Sequence, residues 1–196
     1  MNTTYAKTDT LLGAALEPLD WTRSVGLVFA FSLLTALAAQ IVIPIGPVPL
    51  TGQTFAVLLT GALLGSRLGA MAMIVYLLEG ATGLPFFAGG SGGISHLLGA
   101  TGGFLVAFPA AAFITGAFAE NGWDKRFLTS VAAMAVGSIV ILLCGWAWLS
   151  QFMPPATAFH AGVTRFIVGD IIKVVLAAAV LPSGWALLRR HERADR

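Results

Sequence analysis

The chain is poor in charge. Asp, Glu, Lys and Arg together make up 10% of its 196 residues, where a soluble domain carries about 25%. A water-facing surface of ordinary composition cannot be built from so few, so a soluble globular fold is excluded. Cysteine is nearly absent. Cys144 alone rules out an intrachain disulfide and any multi-cysteine metal site, and it reads as a small buried hydrophobe. Lysine occurs only at positions 7, 125 and 173. None of them stands in a Gly-x-x-x-x-Gly-Lys-Ser/Thr context, so ATP hydrolysis by a P-loop is excluded. There is no His-Glu-x-x-His, no Gly-x-Ser-x-Gly and no four-ligand metal spacing. Cofactors and metals are therefore not expected. The basic residues are scattered over tails and turns, and nucleic-acid binding is not indicated.

What the chain has in excess is apolar residues, at 57%, with a mean hydropathy of +0.87. The apolar segments run over roughly 23–43, 54–64, 69–82, 98–119, 127–149 and 162–188. A span takes about 20 apolar residues. The glycines and the charge of Gly65-Ser66-Arg67-Leu68-Gly69 split one long run into two short ones. The expected fold is an all-α integral membrane protein, a six-helix bundle with Gly/Pro-rich outer loops. Residues 1–20 are expected to be a cytoplasmic tail, 21–190 the membrane domain, and 191–196 a second cytoplasmic tail. The N-terminal stretch lacks the basic, apolar and small-residue order of a signal peptide.

The basic residues test this arrangement. With the N-terminus inside, Lys7, Arg23, Arg67, Lys125, Arg126, Arg189, Arg190, Arg193 and Arg196 lie on the cytoplasmic side. The outer connections, 44–53, 83–97 and 150–161, hold no Lys or Arg. That asymmetry is what the positive-inside rule requires. The two remaining basic residues, Arg165 and Lys173, fall in the last segment.

That segment contains Gly169-Asp170-Ile171-Ile172-Lys173. Two opposite charges three residues apart share one helical face, at a depth where each costs about 2.5–3.5 kcal/mol. Either they only neutralise each other, or they serve a small-molecule site. In the expected topology Arg165, Asp170, Lys173 and Glu79 all gather toward the outer face. The outer connections supply candidates for the rest of such a site. Thr51 and Gln53 follow three prolines, which make their loop stiff. Phe86 and Phe87 precede a run containing Gly89, Gly90 and Ser91, whose amides are free to approach a ligand closely. Thr101 stands where the fourth segment begins. His96 and His160 read as ordinary loop or interface residues. Glu79 would repel an anionic ligand unless it pairs with Arg165 or stays protonated. In the first segment Ser32, Ala36 and Gln40 recur at four-residue spacing. Small residues so spaced admit close approach of another helix, either within the chain or from a separate protein, and Gln40 is alternatively a polar contact of the outer site.

Four stretches taken together resemble the BioY family. Pro47-Val48-Pro49-Leu50-Thr51-Gly52-Gln53-Thr54-Phe55 resembles its first-loop motif. Gly83-Leu84-Pro85-Phe86-Phe87-Ala88-Gly89-Gly90 is similar to its Gly-Leu-Pro-Val-Phe-Ala loop. Gly99-Ala100-Thr101-Gly102-Gly103-Phe104 is similar to Gly-Pro-Thr-Gly-Gly-Tyr, and Phe166-Ile167-Val168-Gly169-Asp170-Ile171-Ile172-Lys173 to Phe-Ile-Pro-Gly-Asp-x-x-Lys. Ala100, Phe104 and Val168 depart from the pattern.

The resemblance implies the biotin-binding S component of an energy-coupling factor transporter, in a bacterial cytoplasmic membrane with both termini cytoplasmic. The implied partners are biotin, a transmembrane coupling protein, two cytosolic ATPases and the lipid bilayer. It implies no enzyme activity. Asp170 then accepts from ureido N–H groups, Lys173 donates to the ureido oxygen or the carboxylate, and Phe86 and Phe87 pack the apolar ring. Gly89, Gly90, Ser91, Thr101, Thr51, Gln53 and Glu79 close the remainder, and Ser32 and Ala36 form the docking surface for the coupling protein. The alternatives are an S-component-like carrier of another small vitamin, a transporter that works without ATPases, and a membrane enzyme using Asp170 and Lys173 as acid and base.

The topology is directly testable. With single cysteines at Ser91 and Arg193, a membrane-impermeant thiol reagent is expected to label position 91 and not position 193 on intact cells. The reverse pattern would overturn the orientation.

Overall fold

The computed structural model describes residues 10–16 and 20–194, with side chains described as far as Leu188. The helices are α1 (Leu11–Ala15), α2 (Trp21–Ala38), α3 (Gln53–Leu64), α4 (Ser66–Ala81), α5 (Ile94–Leu98), α6 (Gly102–Val106), α7 (Phe108–Glu120), α8 (Phe127–Leu149), α9 (Pro155–Phe159) and α10 (Ile167–Ala194). Helices α6 and α7 run on as one apolar rod from Gly102 to Glu120, and a π turn over His160–Thr164 links α9 toward α10. Four stretches are long and apolar enough to cross a membrane: Trp21–Ala38, Gly102–Glu120, Phe127–Leu149 and Pro155–Leu188. The apolar helix α3 is shorter.

A helix satisfies its own backbone, which is what hydrocarbon demands. The side chains then sort in the membrane manner. Leu33, Leu78, Val168 and Ile172 point outward, whereas the hydroxyls of Thr60 and Thr115 are fully buried. Each bonds the carbonyl one turn back, Ala56 at 2.7 Å and Ala111 at 3.0 Å. Inside the bundle small residues let backbones touch. A Cβ added at Gly61 would lie 2.2 Å from the Ala112 carbonyl oxygen, and one at Gly116 would lie 2.4 Å from the backbone of Gly65. Helix α7 thus lies directly against α3 and the turn into α4.

The bundle has two chemically distinct ends. At the turn end, Glu120 at the close of α7 accepts from the backbone N–H of Ser66 at 2.8 Å and from its hydroxyl at 2.9 Å. It caps the start of α4, which has no side-chain cap of its own. Nearby, the Trp185 indole donates to Asp124 at 2.6 Å, and the Lys125 ammonium sits 4.9 Å from the Trp185 ring. Burial pushes the Asp124 carboxyl up from its ordinary range, against the pull of Trp185 and Lys125. At the loop end, Arg165 donates to the Ile45 carbonyl at 2.6 Å, Gln40 to the Pro85 carbonyl at 3.3 Å, and Trp148 to the Gly99 carbonyl at 2.9 Å.

Several expectations are corrected. The fold is not purely helical. The proline-rich connection forms a two-stranded antiparallel hairpin, β1 (Val42–Ile43) against β2 (Leu50–Thr51). The expected N-terminal tail has an ordered part, as Thr10 is fully buried and α1 packs against α3 and α10. The rest of it, residues 1–9 and 17–19, lies outside the described residues. The last helix runs on to Ala194, past the expected boundary at 190. Cys144 is exposed on α8. The Ser32–Ala36 stripe does not form a docking surface: Ser32 is 0% exposed and Ala36 4%. The stripe faces α4, because the Ser32 hydroxyl bonds the carboxylate of Glu79 and a carboxylate in an apolar setting needs a donor.

The contact at Gly116 yields a prediction. Gly116→Val overpacks the crossing and is expected to cost about 1–3 kcal/mol, read as a lowered thermal midpoint in detergent. Gly26→Ala, whose new Cβ meets nothing within 4 Å, is expected to leave the midpoint in place. Equal midpoints for both variants would contradict the packing described here.

Candidate functional site

The hairpin, the 82–101 connections and the neighbouring ends of α3, α6, α7, α8 and α10 enclose a cavity of about 290 Å³. Its apolar wall includes Phe87, Phe104, Phe108, Phe166, Ile141 and Leu142. Phe104 stacks on Phe166 with centroids 6.0 Å apart. A Cβ at Gly145 would meet the Phe104 ring at 2.2 Å, so α8 fixes that ring's position.

The polar part is concentrated at the start of α3. Lys173 donates to the Thr54 hydroxyl at 2.9 Å. The Thr51 hydroxyl donates to the Gln53 carbonyl oxygen at 2.8 Å, and the Gln53 amide donates to the Tyr76 hydroxyl. Tyr76 donates onward to the Phe86 carbonyl at 3.1 Å. The chain of bonds therefore runs from the hairpin through α3 and α4 to the second loop. Because each donor has an acceptor, Gln53 is held in a single orientation although it is 5% exposed. Thr51, Gln53, Thr54 and Lys173 all line the cavity.

Asp170 stands behind this wall. It is 6% exposed and absent from the cavity lining. Its carboxylate accepts from the Ser138 hydroxyl of α8, and Thr54 interacts with it as well. No direct ion pair joins Asp170 and Lys173 among the described residues; each has a hydroxyl partner, and Thr54 serves both. Asp170, expected to touch the ligand, stands one side chain behind the lining.

Of the remaining expected site residues, Phe87, Ser91 and Thr101 line the cavity. Phe86 does not; its backbone carbonyl anchors Tyr76 instead. Gly89 and Gly90 are exposed outside the lining, with positive φ of 65° and 75°. Their amides serve the turn itself: Gly89 N–H reaches the Ala39 carbonyl at 3.4 Å, and Gly90 N–H reaches that of Phe87 at 3.2 Å. An anion-holding nest is not what these glycines build. Glu79 lies outside the lining and bonds Ser32, and Arg165 is committed to Ile45, so the two do not pair.

Sequence reasoning passed over Tyr76 and Ser138, and read His96 as an ordinary loop or interface residue. Tyr76 is fully buried, stacks on Phe108 at 6.3 Å and meets the edge of Phe87 at 5.7 Å. Its signal was that of a phenol inside an apolar run, where the hydroxyl needs a partner. Ser138 carried the same signal in α8. His96 reaches the cavity from α5.

Comparison with known proteins identifies the family. The family model described as the BioY family matches residues 5–190. A probable biotin transporter BioY of Pyrococcus horikoshii is 48% identical over 159 residues, covering 81% of this chain and 93% of that protein. The biotin transporter BioY of Thermotoga maritima is 38% identical over 151 residues, covering 76% of this chain and 88% of its own length. The crystal structure of an S-component for biotin from an ECF-type ABC transporter superposes with a TM-score of 0.75 at 26% identity, covering 83% of this chain and 90% of that one. On the matched span and these identities, the chain belongs to the BioY family.

Proposed function

We propose that this chain is a biotin-binding membrane component that mediates biotin uptake. The observation that carries the reading is the cavity at the loop end, where a membrane-depth lysine and the α3 polar cluster face an aromatic wall. Biotin has a ureido ring, an apolar thioether ring and a carboxylate tail. The Lys173 ammonium donates to the ureido oxygen, and Thr51 and Gln53 offer oxygens to the ureido N–H groups. Phe87, Phe104, Phe108 and Phe166 cover the thioether ring and the tail. Asp170 and Ser138 hold Thr54 and Lys173 in place from behind. The BioY relatives are named as biotin transporters, and in keeping with that the ligand is held and released unchanged.

The wider assembly is part of the same proposal. The chain works with an energy-coupling-factor transmembrane protein and two cytosolic ATPases, since it has no P-loop of its own. It lies in a bacterial cytoplasmic membrane as six membrane helices, with α3 and α4 the short pair, and with both termini and the turn end in the cytoplasm. The supporting observation is the absence of Lys and Arg from the outer connections.

The test is the double variant Asp170→Asn, Lys173→Met. Both charges leave together, so the bundle is expected to stay folded, with a thermal midpoint near the parent's. A lost charged hydrogen bond is worth about 1.5–3 kcal/mol, so biotin affinity is expected to fall at least tenfold. Labelled biotin bound by the purified parent is expected to be displaced by unlabelled biotin, not by other vitamins, and to be recovered unaltered. Double-variant affinity within a factor of about three of the parent, less than 1 kcal/mol, would leave the two charges with a structural role only.

A further inference from the structure

We propose that His96 selects for the free carboxylate of the ligand, so that the cavity takes a monocarboxylic acid in preference to its ester or amide. The assignment rests on the biotin reading above and extends it to the far end of the molecule.

The argument starts from the charge inventory of the cavity. Lys173 and His96 are the titratable residues of the lining, and the lining contains no carboxylate. A cavity so lined favours an anion. Lys173 belongs to the α3 end, where Thr54 holds it beside Gln53. That end offers acceptors as well as a donor, which suits a ureido group rather than a second carboxylate.

The loop side is different. Its hydroxyls already donate elsewhere, Ser91 to the Ala88 carbonyl at 2.8 Å and Thr101 to the His96 carbonyl at 3.4 Å. Three of its amides are committed as well: Phe87 N–H donates to Ser91, Ser91 N–H to Ala88, and Gly93 N–H to Gly80. Arg165 is held by Ile45, outside the lining. Among the side chains of this side that can donate, the imidazole remains. Neither ring nitrogen has a hydrogen-bond partner among the described residues, and the ring is set edge-on to Phe87 at 6.2 Å. The Thr101 hydroxyl on its backbone carbonyl and the bond from its own amide to Gly93 at 3.2 Å fix where the ring stands. An imidazole carries an N–H in either protonation state, so His96 donates to a carboxylate without first gaining a proton. Esterification or amidation removes the anionic acceptor and adds bulk at that point.

The test compares biotin, biotin methyl ester and biotinamide on the purified full chain. The parent is expected to bind the acid at least tenfold more tightly than either derivative. His96→Ala is expected to lose about tenfold for the acid and less than threefold for the ester, which collapses the discrimination. His96→Gln keeps an N–H donor and is expected to recover part of the preference. Equal losses for acid and ester in His96→Ala would overturn the assignment, leaving His96 as packing for Phe87. Equal affinity of the parent for acid and ester would overturn it too. A parent that binds none of the three would overturn the biotin reading itself, and this assignment with it, and that outcome is distinct from the other two.

Discussion

The site depends on how a lysine is kept at membrane depth. An isolated ammonium in hydrocarbon is costly, and Lys173 meets that cost with a hydroxyl in contact and a carboxylate behind it: Thr54 takes its hydrogen bond and also interacts with Asp170, whose charge attracts the ammonium. Asp170 in turn draws on Ser138. The arrangement ties α10 to α3 and to α8 by side chains that are all at the same level. It also leaves the ammonium on the cavity wall while withdrawing the carboxylate from it, so the charge presented to a ligand is positive.

The rest of the loop end follows from the same scarcity of charge. With few ions to spare, the connections are fastened by side-chain donors onto backbone carbonyls: Arg165 on Ile45, Gln40 on Pro85, Trp148 on Gly99. The carbonyls at irregular backbone need partners where water is scarce, so each bond satisfies a polar group and positions a loop at once. Below, the close backbone approach at Gly61 and Gly116 replaces the hydrophobic drive that lipid-facing helices lack.

The apolar segments and the Gly-Asp-x-x-Lys stretch were legible in the sequence because both depend on local spacing. Lys173 was found this way, Thr51 and Gln53 as the polar residues of a stiff proline loop and Phe87 as an aromatic before a glycine run, and all four line the cavity. What depends on rotation about a helix axis was not legible. Asp170 and Lys173 share a face, yet a rise of three residues was enough to put one on the cavity and the other behind Thr54. The stripe at Ser32 and Ala36 looked the same whether its partner was another protein or α4; only Glu79, opposite Ser32, decides it. The glycines after Phe87 suggested an anion cradle, but their amides close a turn. His96 was set aside because one histidine in a loop has no spacing to read, and its value came from which other donors were already engaged.

The cavity draws its wall from the hairpin, the second loop and the ends of α3, α6, α7, α8 and α10. None of these contributes a complete face. An occupant therefore touches nearly every part of the loop end and acts as a removable cross-link among them. At a concentration one hundred times its dissociation constant, such an occupant adds about 2.7 kcal/mol to the stability of the folded chain by mass action. The mouth is held by a handful of bonds to carbonyls, and an occupant adds its own contacts to these. Thermal stability therefore reports occupancy even where the backbone path does not change.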